Sequence, residues 1–242
     1  MVEYFRAIAG PLHREARLEP KSLLLGLPER FAQPLRSNAR HVALKAGEIL
    51  FNKGDVGDGC YWVERGILKV TMMSADGEER ILALLGSGAI VGELAMLDGQ
   101  PRSATIQAIR PSELSFVSRA GFQSLLRSDG ELVLNLLDTL VHRLRRADEE
   151  AAAASFLPVR IRVARALYQM MELFGEDEGR DGMVVVTHDL RQTDIAALAG
   201  VSRESVTRII VSLKKEGVLI QLGRFSYRID RQRLEGEAHP RP

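Results

Sequence analysis

The segment that most constrains the fold is "RQTDIAALAGVSRESVTRIIVSLKKEGVL", residues 191–219. Two stretches with helical spacing of apolar residues flank Gly200, which permits a sharp turn between them. Ser202 stands where it can cap the second helix. The two apolar faces are Ile195, Ala196, Leu198 and Ala199 in the first stretch, and Val206, Ile209, Ile210 and Leu213 in the second. This pattern predicts a helix-turn-helix.

The outer face of the second predicted helix is typical of DNA recognition. Arg203, Glu204, Thr207 and Arg208 lie near its start, where such helices contact bases. Arginine can donate two hydrogen bonds to guanine, and glutamate can accept one from cytosine. Further basic residues that we expect near phosphates are Lys214, Lys215, Arg224 and Arg228. The alternative is a helical hairpin whose charges are merely solvated.

Upstream, residues 41–118 have the pattern of short strands separated by turns. Ile, Val, Tyr, Trp and Thr recur between turn signals at 46–47, 53–54, 76–77 and 87–88. Evenly spaced short strands of this kind predict an antiparallel sandwich or barrel.

A long helix is predicted between these two regions, because Glu131 to Phe156 contains no proline or glycine. Its apolar residues follow a heptad stripe, which is typical of a helix that pairs with a second copy. Packing on its own sheet is the alternative. The stripe consists of Leu134, Leu137, Val141, Leu144, Asp148 and Ala151. Pro158 ends this helix and can begin the next, whereas the tail after Arg231 is expected to be frayed.

The stretch from Val91 to Ala108, "VGELAMLDGQPRSATIQA", places Glu93 and Arg102 among small apolar residues. A buried strand has no use for these charges. A pocket for a ligand that is both a sugar and an anion would use both.

Several classes of protein are disfavoured by the composition. The single cysteine, Cys60, rules out an internal disulfide and a cysteine-held iron–sulfur cluster within one chain. No apolar run approaches the roughly 18 residues of a membrane span, and the first residues lack the apolar core of a signal peptide. We therefore expect a cytoplasmic protein. No catalytic triad order, metal-ligand spacing or phosphate-binding loop indicates an enzyme.

Taken in order, these motifs resemble the CRP/FNR family of bacterial transcription regulators over nearly the full length. "GELAML…PRSA" is similar to that family's phosphate-binding cassette, and "SRESVTR" to its recognition helix. The resemblance implies an α+β chain with three parts. These are a jelly-roll-like β-roll cyclic-nucleotide-binding domain (1–130), a dimerisation helix and hinge (131–157), and a winged helix-turn-helix (158–242). It also implies a homodimer, TGTGA-type palindromes in promoter DNA and contact with RNA polymerase.

The resemblance further assigns roles in the ligand pocket. Glu93 would accept a hydrogen bond from the ribose 2′-hydroxyl, and Arg102 would bind the cyclic phosphate. The implied ligand-binding residues are Gly92, Glu93, Leu94, Arg102, Ser103, Ala104, Arg143, Ala147 and Asp148. The implied DNA-binding residues are Ser202, Arg203, Glu204, Thr207, Arg208 and Lys214.

The identity of the nucleotide base depends on a departure from the family pattern. Where cAMP-responsive members have a Thr-Ser pair, this chain has Ala147 and Asp148. A carboxylate accepts hydrogen bonds only, and guanine offers two parallel donors, so cGMP is favoured over cAMP as the effector. Asp148 could instead pair with Arg145 or be solvated.

Other members of the family leave alternatives open. The chain could be a ligand-free relative in which Glu93 and Arg102 form a salt bridge, or a haem-based sensor using a histidine or Cys60 as axial ligand. A buried structural thiol is the preferred role for Cys60. A nucleotide sensor that acts on a protein partner is the remaining alternative.

Overall fold

Two antiparallel sheets form the first half of the chain. The computed structural model describes residues 39–128, 130–131, 133–134, 137, 141, 144–145, 156–178 and 182–240. The strands are β1 (Arg40–Leu44), β2 (Ile49–Phe51), β3 (Gly59–Arg65), β4 (Leu68–Met73), β5 (Glu79–Leu85), β6 (Ile90–Val91), β7 (Thr105–Ala108) and β8 (Ser112–Ser118). They are ordered β1-β8-β3-β6 in one sheet and β2-β7-β4-β5 in the other. The predicted sandwich is confirmed.

The two sheets enclose an apolar core that includes Val63, Leu68, Ile106 and Leu114. Side chains alternate between the two faces of a strand, so every second residue can contribute to this core. The glycines at the predicted turns, at positions 47, 54, 77 and 88, all have positive φ.

Two short helices flank the first sheet. Helix α1 (Glu93–Asp98) follows β6, and α2 (Arg119–Ser128) follows β8. Cys60, Met96 and Phe122 are completely or almost completely buried in a small cluster there. This cluster places the start of α1 directly beside strand β3.

The last part of the described chain is a winged helix-turn-helix. Its elements are α3 (Val159–Phe174), β9 (Gly175–Asp177), β10 (Met183–Thr187), α4 (Gln192–Ala199), α5 (Arg203–Lys215), β11 (Leu219–Gly223), β12 (Ser226–Asp230) and α6 (Arg231–Ala238). The strands form one antiparallel sheet, ordered β11-β12-β10-β9. Val206, Ile210 and Leu213 are buried in its core, as the helical spacing predicted. The α+β fold class is confirmed.

The expectation of a frayed tail after Arg231 is wrong. Residues 231–238 form helix α6, whose first turn is capped because Asp230 Oδ1 accepts a hydrogen bond from the Arg233 amide at 3.0 Å. Leu234 and Ala238 are fully buried against the winged-helix core. The strongly polar composition of this segment hid an apolar contact made by only two residues.

Part of the predicted long helix falls among the described residues. Eight positions between 130 and 145 have helical backbone. The stripe residues among them are exposed in the single chain, Leu134 by 67%, Leu137 by 52%, Val141 by 49% and Leu144 by 64%. Asp148 and Ala151 lie outside the described residues. Among the described helices, none is both long and apolar enough to span a bilayer.

The β-roll and the winged helix pack directly against each other. Ile81 and Leu84 of β5 belong to the same apolar cluster as Val163 and Leu167 of α3. Arg110, which lies between β7 and β8, reaches across this contact. Its guanidinium pairs with Asp189, donates to the Thr187 carbonyl at 2.7 Å and lies 4.8 Å from the Phe174 ring centre.

We predict that Arg110→Ala lowers the free energy of unfolding by about 1 kcal/mol, because two hydrogen bonds and a cation–π contact between the two parts are lost. Urea denaturation measures this. The control is Arg65→Ala, whose pair with Glu113 is 3.9 Å long and largely exposed, with 79% and 61% of the two side chains accessible. Such a pair contributes little, so equal losses in the two variants would contradict the prediction.

Candidate ligand pocket and nucleic-acid interface

The candidate ligand pocket begins at the junction of β6 and α1. Gly92 adopts a left-handed conformation with φ of 80° and precedes the first residue of α1, Glu93. The left-handed turn carries the chain from the strand into the helix, and the Glu93 side chain is only 5% exposed. A carboxylate is thus buried where the strand ends.

Arg102 provides the opposite charge and is 4% exposed. Its Nη1 donates to the carbonyl of Gly59 at 2.8 Å and to that of Gly92 at 2.6 Å. Its Cζ lies 4.2 Å from the centre of the Phe51 ring. Within the described part of the chain, its Nε is buried without a hydrogen-bond partner. A buried guanidinium with an unused donor is suited to an anion.

The loop between β2 and β3 packs against the Arg102 segment. The Arg102 amide donates to the Asp55 carbonyl, and the Gly54 amide donates to the Arg102 carbonyl, both at 2.8 Å. A Cβ on Gly57 would lie 2.5 Å from the Cβ of Ala95, and one on Gly92 would collide with Nη1 of Arg102. The guanidinium therefore occupies a space that only glycine leaves open.

The thiol of Cys60 lies close enough to Glu93 and Arg102 for both charges to affect its pKa. Burial raises the pKa of Cys60 to about 12, and the Glu93 carboxylate acts in the same direction, while Arg102 opposes it. The side chain is 1% exposed, as predicted for a structural thiol. The side chain packs with Ile90, Met96 and Phe122 in an apolar cluster, which favours a structural role for Cys60.

The structure brings together part of the predicted ligand-binding set. Gly92, Glu93 and Arg102 meet at one place, with Leu94 half-buried and Ala104 buried beside them. Ser103 is exposed. Arg143, Ala147 and Asp148 lie outside the described residues. The sequence analysis missed the residues of β2, β3 and their loop that surround Arg102, namely Phe51, Gly57, Gly59 and Tyr61. No local motif marks them.

The candidate nucleic-acid interface is built on the turn between α4 and α5. Gly200 has a φ of 64°, which reverses the chain direction. Ser202 Oγ then accepts a hydrogen bond from the Ser205 amide at 3.2 Å and caps α5, as predicted. The predicted DNA-binding residues Ser202, Arg203, Glu204, Thr207 and Arg208 are exposed along the start of α5.

A cleft of about 410 Å³ opens beside this exposed face. Three arginines line it, Arg191 from the start of α4, Arg203 from α5 and Arg224 from the turn between β11 and β12. His188 is buried in its wall and stacks on Tyr227 with ring centres 5.4 Å apart. Burial lowers the pKa of His188, so its ring is uncharged at neutral pH. The convergence of three cations is suited to a phosphate backbone.

Two predicted basic residues already have partners. Arg228 Nε donates to Glu178 at 2.6 Å, and Lys214 donates to Gln221. Arg191 was not predicted, because only the tertiary fold places it beside Arg203. Thr207 Oγ1 donates to Gln192 Oε1 at 3.0 Å, which joins the start of α4 to the first half of α5.

Comparisons with known proteins agree with this geometry. Residues 41–129 match the cyclic nucleotide-binding domain family, and residues 161–236 match the Crp-like helix-turn-helix domain family. The cyclic AMP receptor protein of Thermus thermophilus is 37% identical over 73% of this chain and 77% of its own length. A CRP-like cAMP-activated global transcriptional regulator of Mycobacterium tuberculosis is 32% identical over 84% and 90%. The chain belongs to the CRP/FNR family of transcription regulators.

Solved structures agree with this membership. A CRP/FNR-family transcriptional regulator from Thermus thermophilus superposes with a TM-score of 0.68 at 26% identity, over 84% of this chain and 100% of that one. FixK2 from Bradyrhizobium japonicum has a TM-score of 0.73 at 20% identity over 84% and 99%, which shows a shared fold. Members of this family are regulators, so the expectation that the chain is not an enzyme is confirmed.

We predict that Gly92→Ala reduces cyclic-nucleotide affinity by about tenfold or more. The new Cβ would displace the guanidinium of Arg102, which is the expected donor to the anionic ligand. Isothermal titration calorimetry with cAMP and with cGMP measures this.

Gly47→Ala is the matched control, because its φ of 82° is nearly the same but nothing lies within 4 Å of its Cβ. Both variants strain the backbone by about 1–2 kcal/mol, so both should lose thermal stability. Equal nucleotide affinities in the two variants would show that the Arg102 position is irrelevant to binding.

Proposed function

We propose that this protein is a homodimeric regulator that binds promoter DNA when a cyclic nucleotide occupies the pocket at Arg102. The observation that carries the proposal is a buried cation with an unused donor, on the same chain as an exposed recognition helix. The first accounts for ligand binding and the second for DNA binding. Promoter DNA as the target makes the cytoplasm its proposed location.

The stripe formed by Leu134, Leu137, Val141 and Leu144 supports the homodimer. All four are about half exposed or more in the single chain and lie on helical backbone at heptad spacing. Apolar side chains in such a row gain free energy when a second copy covers them. We therefore propose that two copies pair along this helix.

The proposed division into a ligand-binding part (1–130), a helix and hinge (131–157) and a DNA-binding part (158–242) assigns the switch to Phe156–Pro158. Phe156 is 73% exposed and Pro158 starts α3 in an extended conformation with ψ of 148°. A ligand that binds one hinge arrangement better than the other shifts the population toward it. The two recognition helices would then lie one turn of DNA apart.

The proposed DNA target is a TGTGA…TCACA palindrome. Arg203, Glu204 and Arg208 would contact its bases, and Arg191 and Arg224 its phosphates. Contact with RNA polymerase is part of the proposal, because regulators of this kind act on transcription.

We propose cGMP as the effector, with cAMP as the alternative. Asp148 supports cGMP, since its carboxylate can accept both donors of the guanine edge. The relatives described as cAMP-activated or as a cyclic AMP receptor support the alternative. Without ligand, two Asp148 side chains near the dimer axis would repel each other, and ligand binding would remove that repulsion.

Binding to a labelled TGTGA palindrome tests the proposed function. We expect retardation in a gel only with nucleotide present, and stronger retardation with cGMP than with cAMP. Arg203→Ala should lose about 1–3 kcal/mol of DNA-binding free energy and discriminate less between guanine and other bases at one position. Lys215→Ala should weaken binding to all DNA sequences by the same factor. Equal binding with no nucleotide would instead identify a ligand-independent regulator, and no binding under any condition would favour a protein partner.

Asp148→Ser tests the choice of effector. We expect it to weaken the binding of cGMP more than that of cAMP in a calorimetric titration, because a single hydroxyl replaces the two carboxylate oxygens that accept from guanine. Glu149→Ser, one position along, is the control and should change neither affinity. Equal or tighter binding of cAMP by the unaltered protein would reject cGMP.

A further inference from the structure

A single arginine joins the hinge end of α3 to the far end of the recognition helix. Arg160 lies two residues after Pro158, in the first turn of α3. We propose that Arg160 is a positioning residue for DNA binding, which fixes the angle of the recognition helix relative to the hinge. This inference rests on the proposed function, because it says how a change at the hinge reaches the DNA.

We call Arg160 and its partners Ser212, Glu216 and Glu237 the clamp. Its first half holds the end of α5. Arg160 Nη1 donates to Ser212 Oγ at 3.1 Å and to Glu216 Oε1 at 3.0 Å, and Nη2 donates to Glu216 Oε2 at 2.5 Å. Ser212 Oγ donates in turn to Glu216 Oε1 at 2.6 Å. Ser212 is in the last turn of α5, and Glu216 is its C-terminal cap.

The second half of the clamp holds α6. Arg160 Nε donates to Glu237 Oε2 at 2.7 Å, and Nη2 donates to Glu237 Oε1 at 2.8 Å. Every nitrogen of the guanidinium is therefore used, and it binds both carboxylates through two oxygens each. The planar fork of arginine makes this geometry rigid, and a lysine cannot reproduce it.

The charges favour this arrangement. Glu216 stands at the C-terminus of α5, where the helix dipole disfavours a negative charge. The hydrogen bond from Arg160 lowers the pKa of Glu216 to about 2, because the guanidinium stabilises the ionised carboxylate. Without Arg160, Glu216 and Glu237 would repel each other and the end of α5 would be displaced.

A displacement at this end is transmitted to the DNA-facing end. Helix α5 has 13 residues and so spans about 20 Å. A tilt of about 10° at Glu216 would move Arg203 by about 3 Å, which is larger than the tolerance of a hydrogen bond. The core residues Val206, Ile210 and Leu213 are buried among apolar side chains of the winged helix, so we expect the domain to keep its fold while the angle loosens.

The test measures the angle and the DNA contact separately in the full-length dimer. Spin labels at Gln169→Cys on α3 and Glu204→Cys on α5 report the helix angle by pulsed electron paramagnetic resonance. The native Cys60 is buried and its pKa is about 12, so it stays unlabelled. Without the labels, DNA affinity is measured with the effector on palindromes whose half-site spacing differs by one base pair.

We expect Arg160→Gln and Glu216→Gln to broaden the label distance and to lower affinity for the best spacing by about tenfold, the size of one lost base contact. The preference for that spacing should fall as well, while nucleotide affinity stays unchanged. Glu237→Gln is the matched control, because it keeps the arm that holds α5. Compared with Arg160→Gln, Arg160→Lys should recover more of the thermal stability than of the preference for one half-site spacing, because lysine keeps the charge but not the planar fork.

Unchanged label distances in both Arg160→Gln and Glu216→Gln would overturn the proposal. So would equal effects of Glu216→Gln and Glu237→Gln, since a merely structural network would not distinguish its two arms. If the distance broadens but the unaltered protein binds no palindrome, the clamp is supported and the proposed DNA target is wrong.

Discussion

The structure of the first domain depends on burying one guanidinium. A charge that is removed from water must be compensated by its surroundings, and Arg102 receives two carbonyls and an aromatic face. Those partners are Phe51 of β2, Gly59 of β3 and Gly92 before α1, and Gly59 lies 43 positions from Arg102 in the sequence. The requirement to surround Arg102 therefore brings these segments together, and it keeps glycine at the positions where a Cβ would collide with it.

Packed contacts join the β-roll, which holds the Arg102 pocket, to the winged helix. Strand β5 packs on the winged helix through Ile81 and Leu84, and Arg110 donates a hydrogen bond to the carbonyl of Thr187, the last residue of β10. Arg160 then joins the start of α3 to the end of α5. Apolar packing holds the first of these contacts, a single ion pair and a carbonyl hydrogen bond hold the second, and bidentate ion pairs hold the third. Under the proposed function, a change in orientation at the hinge would pass along them.

Local pattern was enough to predict some features and not others. The cap at Ser202 and the turn at Gly200 depend on residues within a few positions of each other, so the local sequence predicts both. Helix α6 was missed because two buried residues in a polar segment give almost no periodic signal. The cleft at Arg191, Arg203 and Arg224 was missed because its three arginines come from separate elements.

By itself, the sequence determined the helix-turn-helix, the sandwich of short strands that precedes it and the closeness of Gly92 to Arg102. These follow from spacing and turn chemistry, which act over short distances along the chain. Only the tertiary structure decided what surrounds Arg102 and that Arg160 ties three helices together. Arg102 lies 43 positions from Gly59, and Arg160 lies 77 positions from Glu237, and no local pattern specifies which distant group a charged side chain will meet.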